Sequence, residues 1–179
     1  MNDQLEKVKR MAQQKFLPYA ENMDDYSDKL REAQSADSMP QFFKLTAQLP
    51  EKGNTDTILA ATERSWVVIK TYAEGGENNI HAHPNDEHTF VVLQGRADFI
   101  GPNDEKRTCE KYEGVIMPAG CYYRFESVGD EPLVMIRMGF VIDPEQDPLG
   151  RIKADGSDFD AYTSENKSDT LVLSEAVFP

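Results

Sequence analysis

His81-Ala82-His83-Pro84-Asn85-Asp86-Glu87-His88-Thr89-Phe90-Val91-Val92-Leu93 is the stretch on which the reading of this chain turns. All three histidines of the 179-residue sequence fall within its first eight positions. Alternate side chains of a β-strand share a face, so His81 and His83 project together, about 7 Å apart along the strand. Pro84-Asn85-Asp86 is turn chemistry, and the apolar run that follows lets the next strand return His88 to the same cavity. Imidazole is the commonest protein ligand for transition metals, so this clustering points to a metal site. The plainer alternative is a polar loop that happens to be rich in histidine.

Outward from this stretch the pattern stays β. Trp66-Val67-Val68-Ile69-Lys70-Thr71-Tyr72 is β-branched and aromatic. Gln94-Gly95 closes the histidine strand, and Ala97-Asp98-Phe99-Ile100 follows before a Gly101-Pro102-Asn103-Asp104 turn. Gly114-Val115-Ile116-Met117-Pro118, then Tyr122 to Phe125, then Leu133 to Val141 complete the series. Short strands parted by Gly/Pro/Asp turns, without intervening helices, predict an antiparallel sandwich or barrel over residues 57–142.

Residues 1–56 read as an N-terminal helical arm. Leu5, Val8, Ala12 and Phe16 recur at helical spacing and Pro18 ends the run. Asp24 to Ala36 predicts a charged helix. Ser38-Met39-Pro40-Gln41 reads as a capping box opening a short helix through Phe42, Phe43, Leu45 and Leu49 before Pro50. Residues 143–179 are polar, broken by Pro144, Pro148 and Gly156, and read as a C-terminal tail laid over the barrel, with Leu171-Val172-Leu173 adding an edge strand.

Composition bounds the function. A net charge of -13 without any basic cluster disfavours nucleic acid and anionic membrane surfaces. The charged first thirty residues lack the apolar core of a secretory signal, and no stretch approaches a membrane span, which predicts a cytoplasmic protein. Cys109 and Cys121 are too few for a disulfide framework and read as buried thiols.

Two motifs make the sequence similar to a known family, the cupins, small β-barrels of the jelly-roll type. Gly75, five residues, then His81-Ala82-His83 fits the opening of the cupins' first motif, G-x5-H-x-H-x3,4-E-x6-G, and Gly95 fits its end. Gly114 leading to Pro118-Ala119-Gly120 fits the core of the second, with a first gap of three residues in place of five. The resemblance spans residues 57–142 and implies an antiparallel jelly-roll barrel holding a divalent metal. It does not select a reaction, since this fold hosts dioxygenases, isomerases, lyases, cyclases and non-enzymatic binders.

The departures from the family pattern concern the ligands. Counting forward from His83 puts the family's acidic ligand at Glu87; counting back from Gly95 puts it at His88. Strand parity groups His88 with Phe90 and Val92 and sets Glu87 on the other face, which favours His81, His83 and His88 as ligands. Glu87 stays as an alternative ligand or as an acceptor for a ligating imidazole. Tyr123 stands where the second motif has its histidine, and is open to four roles: metal ligand, hydrogen-bond donor, general acid/base or interior aromatic. Arg137, in the apolar run from Leu133, is a candidate for holding an anionic substrate group unless it faces solvent. Three neutral imidazoles suit iron(II), and also zinc, nickel, manganese or copper. The expectation is a metal-dependent enzyme acting on a small oxygenated molecule, an iron(II) dioxygenase first, with a lyase, isomerase or cyclase and a non-catalytic binding protein as alternatives. A homodimer is expected, drawing on Phe42-Phe43 and the apolar stripe of the first helix.

Overall fold

The computed structural model describes residues 17–34, 39–163 and 170–179. The helix foreseen around Leu5 to Phe16 lies outside the described residues. Among the described residues one helix, α1 (Met23–Gln34), is followed by nine strands: β1 (Ala47–Ala61), β2 (Ser65–Ala73), β3 (Asp86–Gln94), β4 (Arg96–Ile100), β5 (Lys106–Cys109), β6 (Gly114–Met117), β7 (Arg124–Val128), β8 (Leu133–Val141) and β9 (Val172–Phe178). They form a six-stranded sheet, β6-β3-β8-β2-β1-β9, facing a three-stranded sheet, β5-β4-β7, and every pairing is antiparallel. This is the expected jelly-roll arrangement. No helix among the described residues is long and apolar enough to cross a membrane.

Alternation along β3 sets the inner face. Asp86, His88, Phe90 and Val92 are buried, while Glu87, Thr89 and Val91 between them are only half-buried. Between the two sheets Phe90, Val92, Phe99, Phe125, Leu133 and Met135 form an aromatic and aliphatic core with Tyr72. Toward α1 a second cluster joins Tyr26 and Leu30 of the helix to Trp66, Val68 and Val141. The helix is amphipathic, with Asp24 and Asp25 in its first turn and Arg31 in its last, charges that suit the helix dipole. Gly95 takes a positive φ of 72° between β3 and β4, and a Cβ there would press on the Leu133 backbone at 3.1 Å. Only glycine meets both demands.

The expected helix through Phe42, Phe43, Leu45 and Leu49 is corrected. Residues 40–46 are irregular and β1 begins at Ala47, ten residues earlier than the sheet was expected to start. Ala47 and Leu49 are buried with period two against Ile69 and Val134, and Ala47 pairs with Phe178 of β9. Gln41 does not cap a helix either. Its amide accepts from Ala61 N at 3.2 Å and donates to Ala61 O at 2.7 Å, so it binds the end of β1 as a neighbouring strand would. Strand pairing across 120 or more residues outweighs the local helical signal. The edge strand around Leu171-Val172-Leu173 is present as β9.

Candidate metal centre

Backbone pairing positions the histidine stretch. His81 and Tyr123 exchange hydrogen bonds at 3.1 and 3.0 Å, and Ala82 and Ile152 do so at 3.0 Å each way. Past Pro84 the turn is pinned by Asn85, whose side chain donates to Asp143 O at 2.8 Å and accepts from Asp143 N at 2.9 Å. The chain then enters β3 at Asp86, so that Asp86 and His88 share the inward face that also carries Phe90.

The side chains brought together are His83, Asp86 and His88, all buried, with one ligand atom of each lying within 4.8 Å of the others. His83 and His88 have ring centroids 4.0 Å apart. Asp86 Oδ1 lies 2.7 Å from His88 Nε2 and 3.5 Å from His83 Nδ1. His83 Nδ1 and both Asp86 oxygens nevertheless have no hydrogen-bond partner. Buried polar atoms are almost always satisfied, so three unpartnered atoms converging on one point fit a cation among them. A donor set of two imidazoles and a carboxylate suits a divalent transition metal.

His81 lies beside this group rather than in it. Its ring is 5.0 Å from that of His83, stacks on Phe159 at 4.6 Å, and its Nδ1 is 2.7 Å from Asn79 O. Glu87 pairs with Phe140 on the outer face of the sheet, away from the cluster. Asp86 was not singled out by the sequence reading, although the parity that selects His88 selects Asp86 as well.

Tyr123 and Arg137 both reach His88. Tyr123 is buried, its hydroxyl 3.1 Å from His88 Nδ1. Arg137 lies inside, not on the solvent face; its Nη2 donates to His88 Nε2 and sits 3.7 Å from Asp86 Oδ2. Burial governs the electrostatics. It pushes His81 down to about 3 and holds His83 and His88 well below the usual imidazole range, so all three are neutral, as metal ligation requires. Burial raises Asp86 to about 7 against the opposing pull of Arg137 and Arg151, and raises Tyr123 so that it keeps its proton. A cavity of about 500 Å³ is lined by Phe99, Met117, Cys121, Tyr122 and Tyr123, with Lys106 and Arg107 beside them.

Residues 68–139 match the cupin domain family, and this part of the chain is a cupin domain. Among solved structures it is similar to the cupin domain of Cnp3 from Schizosaccharomyces pombe, with 18% identity over 51% of this chain and 67% of that one, at a TM-score of 0.47. KdgF from Halomonas sp. shares 19% identity over 60% of this chain and all of its own, at 0.49. An uncharacterized conserved protein with a double-stranded beta-helix domain from Klebsiella pneumoniae shares 19% identity over 60% of this chain and 90% of its own, at 0.48. No curated protein matches the chain.

Proposed function

We propose that the protein is a metal-dependent cupin enzyme acting on a small oxygenated organic molecule, with iron(II) as its metal and dioxygenation as its reaction. The observation that carries the metal is the convergence of unpartnered, buried His83 Nδ1 and Asp86 Oδ1 and Oδ2 beside His88. Two histidines and one carboxylate with open positions are the donor set of non-haem iron(II) oxygenases. In this reading the carboxylate that completes the set is Asp86, with His81 as a neighbouring imidazole. A bound divalent metal supplies a Lewis acid that lowers the pKa of an oxygen ligand such as an enediol or hydroxy-ketone.

The chain's own groups do the rest. Tyr123, protonated and hydrogen-bonded to His88, orients that imidazole. Arg137 supplies positive charge to an anionic substrate oxygen. The aromatic lining of Phe99 and Tyr122 excludes water from the substrate's apolar part. A second reading, a lyase or isomerase, draws support from the same Tyr123, since a buried phenol next to the ligands suits proton transfer without oxygen. The test is metal analysis of purified protein by mass spectrometry, then turnover of a panel of diketones and hydroxy-ketones with and without air. Oxygen uptake matching product supports the oxygenase; equal turnover without air selects the lyase or isomerase; no turnover with metal bound rejects both. We further propose a homodimer through the exposed Phe42 and Phe43, tested by light scattering for a particle twice the chain's 20.2 kDa.

A further inference from the structure

Arg151 comes from the C-terminal part of the chain and has no place in the functions above. It is only 8% exposed. Its Nη1 reaches the sulfur of Met23 at 3.2 Å, its buried Nε has no acceptor, and among the described residues no carboxylate pairs with it. The Ala82–Ile152 bridge fixes where it lies. In an antiparallel register the residue before Ile152 stands opposite the residue after Ala82, which sets Arg151 across from His83.

Around it the structure collects donors without acceptors. Tyr26, one helical turn from Met23 on α1, is fully buried and its hydroxyl has no partner. The same holds for Trp66 Nε1 and Arg137 Nε, and the Arg137 guanidinium lies 5.9 Å from the centre of the Trp66 ring. Asp56 is engaged by Lys70 at 2.5 Å, which leaves Asp86 as the carboxylate that Arg137 approaches. A metal held by Asp86 would add positive charge there and compete with Arg137 for that carboxylate. Buried charge is retained where something compensates it, and water would satisfy the donors without supplying the charge.

We infer that the helix α1 side of the metal centre is an anion subsite, in which Arg151 and Arg137 hold the carboxylate or phosphate of the substrate and Tyr26 and Trp66 donate to the same group. A planar guanidinium suits both oxyanions. The inference deepens the metal-enzyme reading by naming the charge of the substrate, and rests on that reading for its role in turnover.

The test is calorimetric titration of the full-length protein with sodium succinate, inorganic phosphate and, as a neutral control, succinamide, at constant ionic strength, before and after loading with zinc(II). Metal content is measured in every sample. Wild type is expected to bind succinate or phosphate and not succinamide, and whichever anion binds names the group. Arg151→Met should weaken that binding at least tenfold while zinc stoichiometry is unchanged; Arg151→Lys, which keeps the charge and serves if the Met variant fails to fold, should lose less but still measurably. Anion binding equal in wild type and both variants overturns the inference, as does binding of neither anion or equal binding of succinamide. Zinc uptake without Arg151-dependent anion binding sinks the subsite alone. Arg151-dependent anion binding without zinc uptake sinks the metal reading and leaves the subsite standing.

Discussion

Gly139 lies directly under the indole of Trp66: a β-carbon on the glycine would fall 2.3 Å from two carbons of that ring. In register Gly139 stands between Trp66 on β2 and His88 on β3, so the missing side chain is what lets the indole pack over the strand beside the metal centre. Gly139→Ala must therefore push the ring or the strand aside. The expected loss is about 1–3 kcal/mol, the usual size of overpacking. Trp66 is the chain's one tryptophan, so its fluorescence reports the displacement directly, and denaturant unfolding measures the loss.

Metal affinity should separate the ligands from their neighbours. His83→Ala, Asp86→Ala and His88→Ala are each expected to lower it by more than the ~10–100-fold typical of an outer-shell partner. His81→Ala should cost less, because His81 lies beside the cluster. Glu87→Gln, on the outer face, should leave metal content unchanged. Loss of metal in Glu87→Gln, or a larger loss in His81→Ala than in Asp86→Ala, would reject the assignment.

Tyr123→Phe removes a hydroxyl from His88 without opening a cavity. Metal content should be retained, while turnover falls by roughly 10²–10⁴-fold if the phenol transfers a proton. Steady-state rates on whichever substrate is found, set against metal content, make the comparison.

Lys70 and Asp56 form a buried ion pair at 2.5 Å between β2 and β1. Removing one partner takes the buried counter-ion from the other, so Lys70→Met should cost about 3–5 kcal/mol. A Lys70→Met/Asp56→Leu double variant should recover much of it. Equilibrium urea unfolding of the three proteins checks the coupling.

Acid stability should depend on Asp98. Hydrogen bonds from Lys106 at 2.7 Å and Thr108 at 2.5 Å hold its carboxyl below the usual range. A depressed folded-state pKa stabilises fully above the unfolded value of about 3.9 and is lost as pH falls through the folded one. Asp98→Asn should lower stability at pH 7, where the contribution is fully present, and flatten the decline in stability below about pH 4. Unfolding midpoints across that range provide the measurement.

Much of this protein follows from short-range periodicity. Alternation alone sets His88, Phe90 and Val92 on the inner face of β3, and Leu133 to Val141 emerges as β8 with the ends the apolar run implies. The same alternation in Ala47 and Leu49 is masked by Pro40 and the two phenylalanines, which fit a helix start, and β5 carries no strand signal because Lys106-Arg107-Thr108 is charged and exposed. Asp86 was legible by parity once His88 was accepted.

What only the tertiary structure decided is which distant groups meet. His81 and His83 share a strand-like stretch, yet the turn at Asn85 and the stacking of Phe159 leave Asp86 closer to His83 and His88 than His81 is. Tyr123 and Arg137 reach His88 from 35 and 49 residues away, and Arg151 stands across from His83 through a bridge between Ala82 and Ile152. Periodicity shows which side of its own backbone a residue occupies. Partners contributed by other strands depend on pairing register and packing, and those are properties of the folded chain.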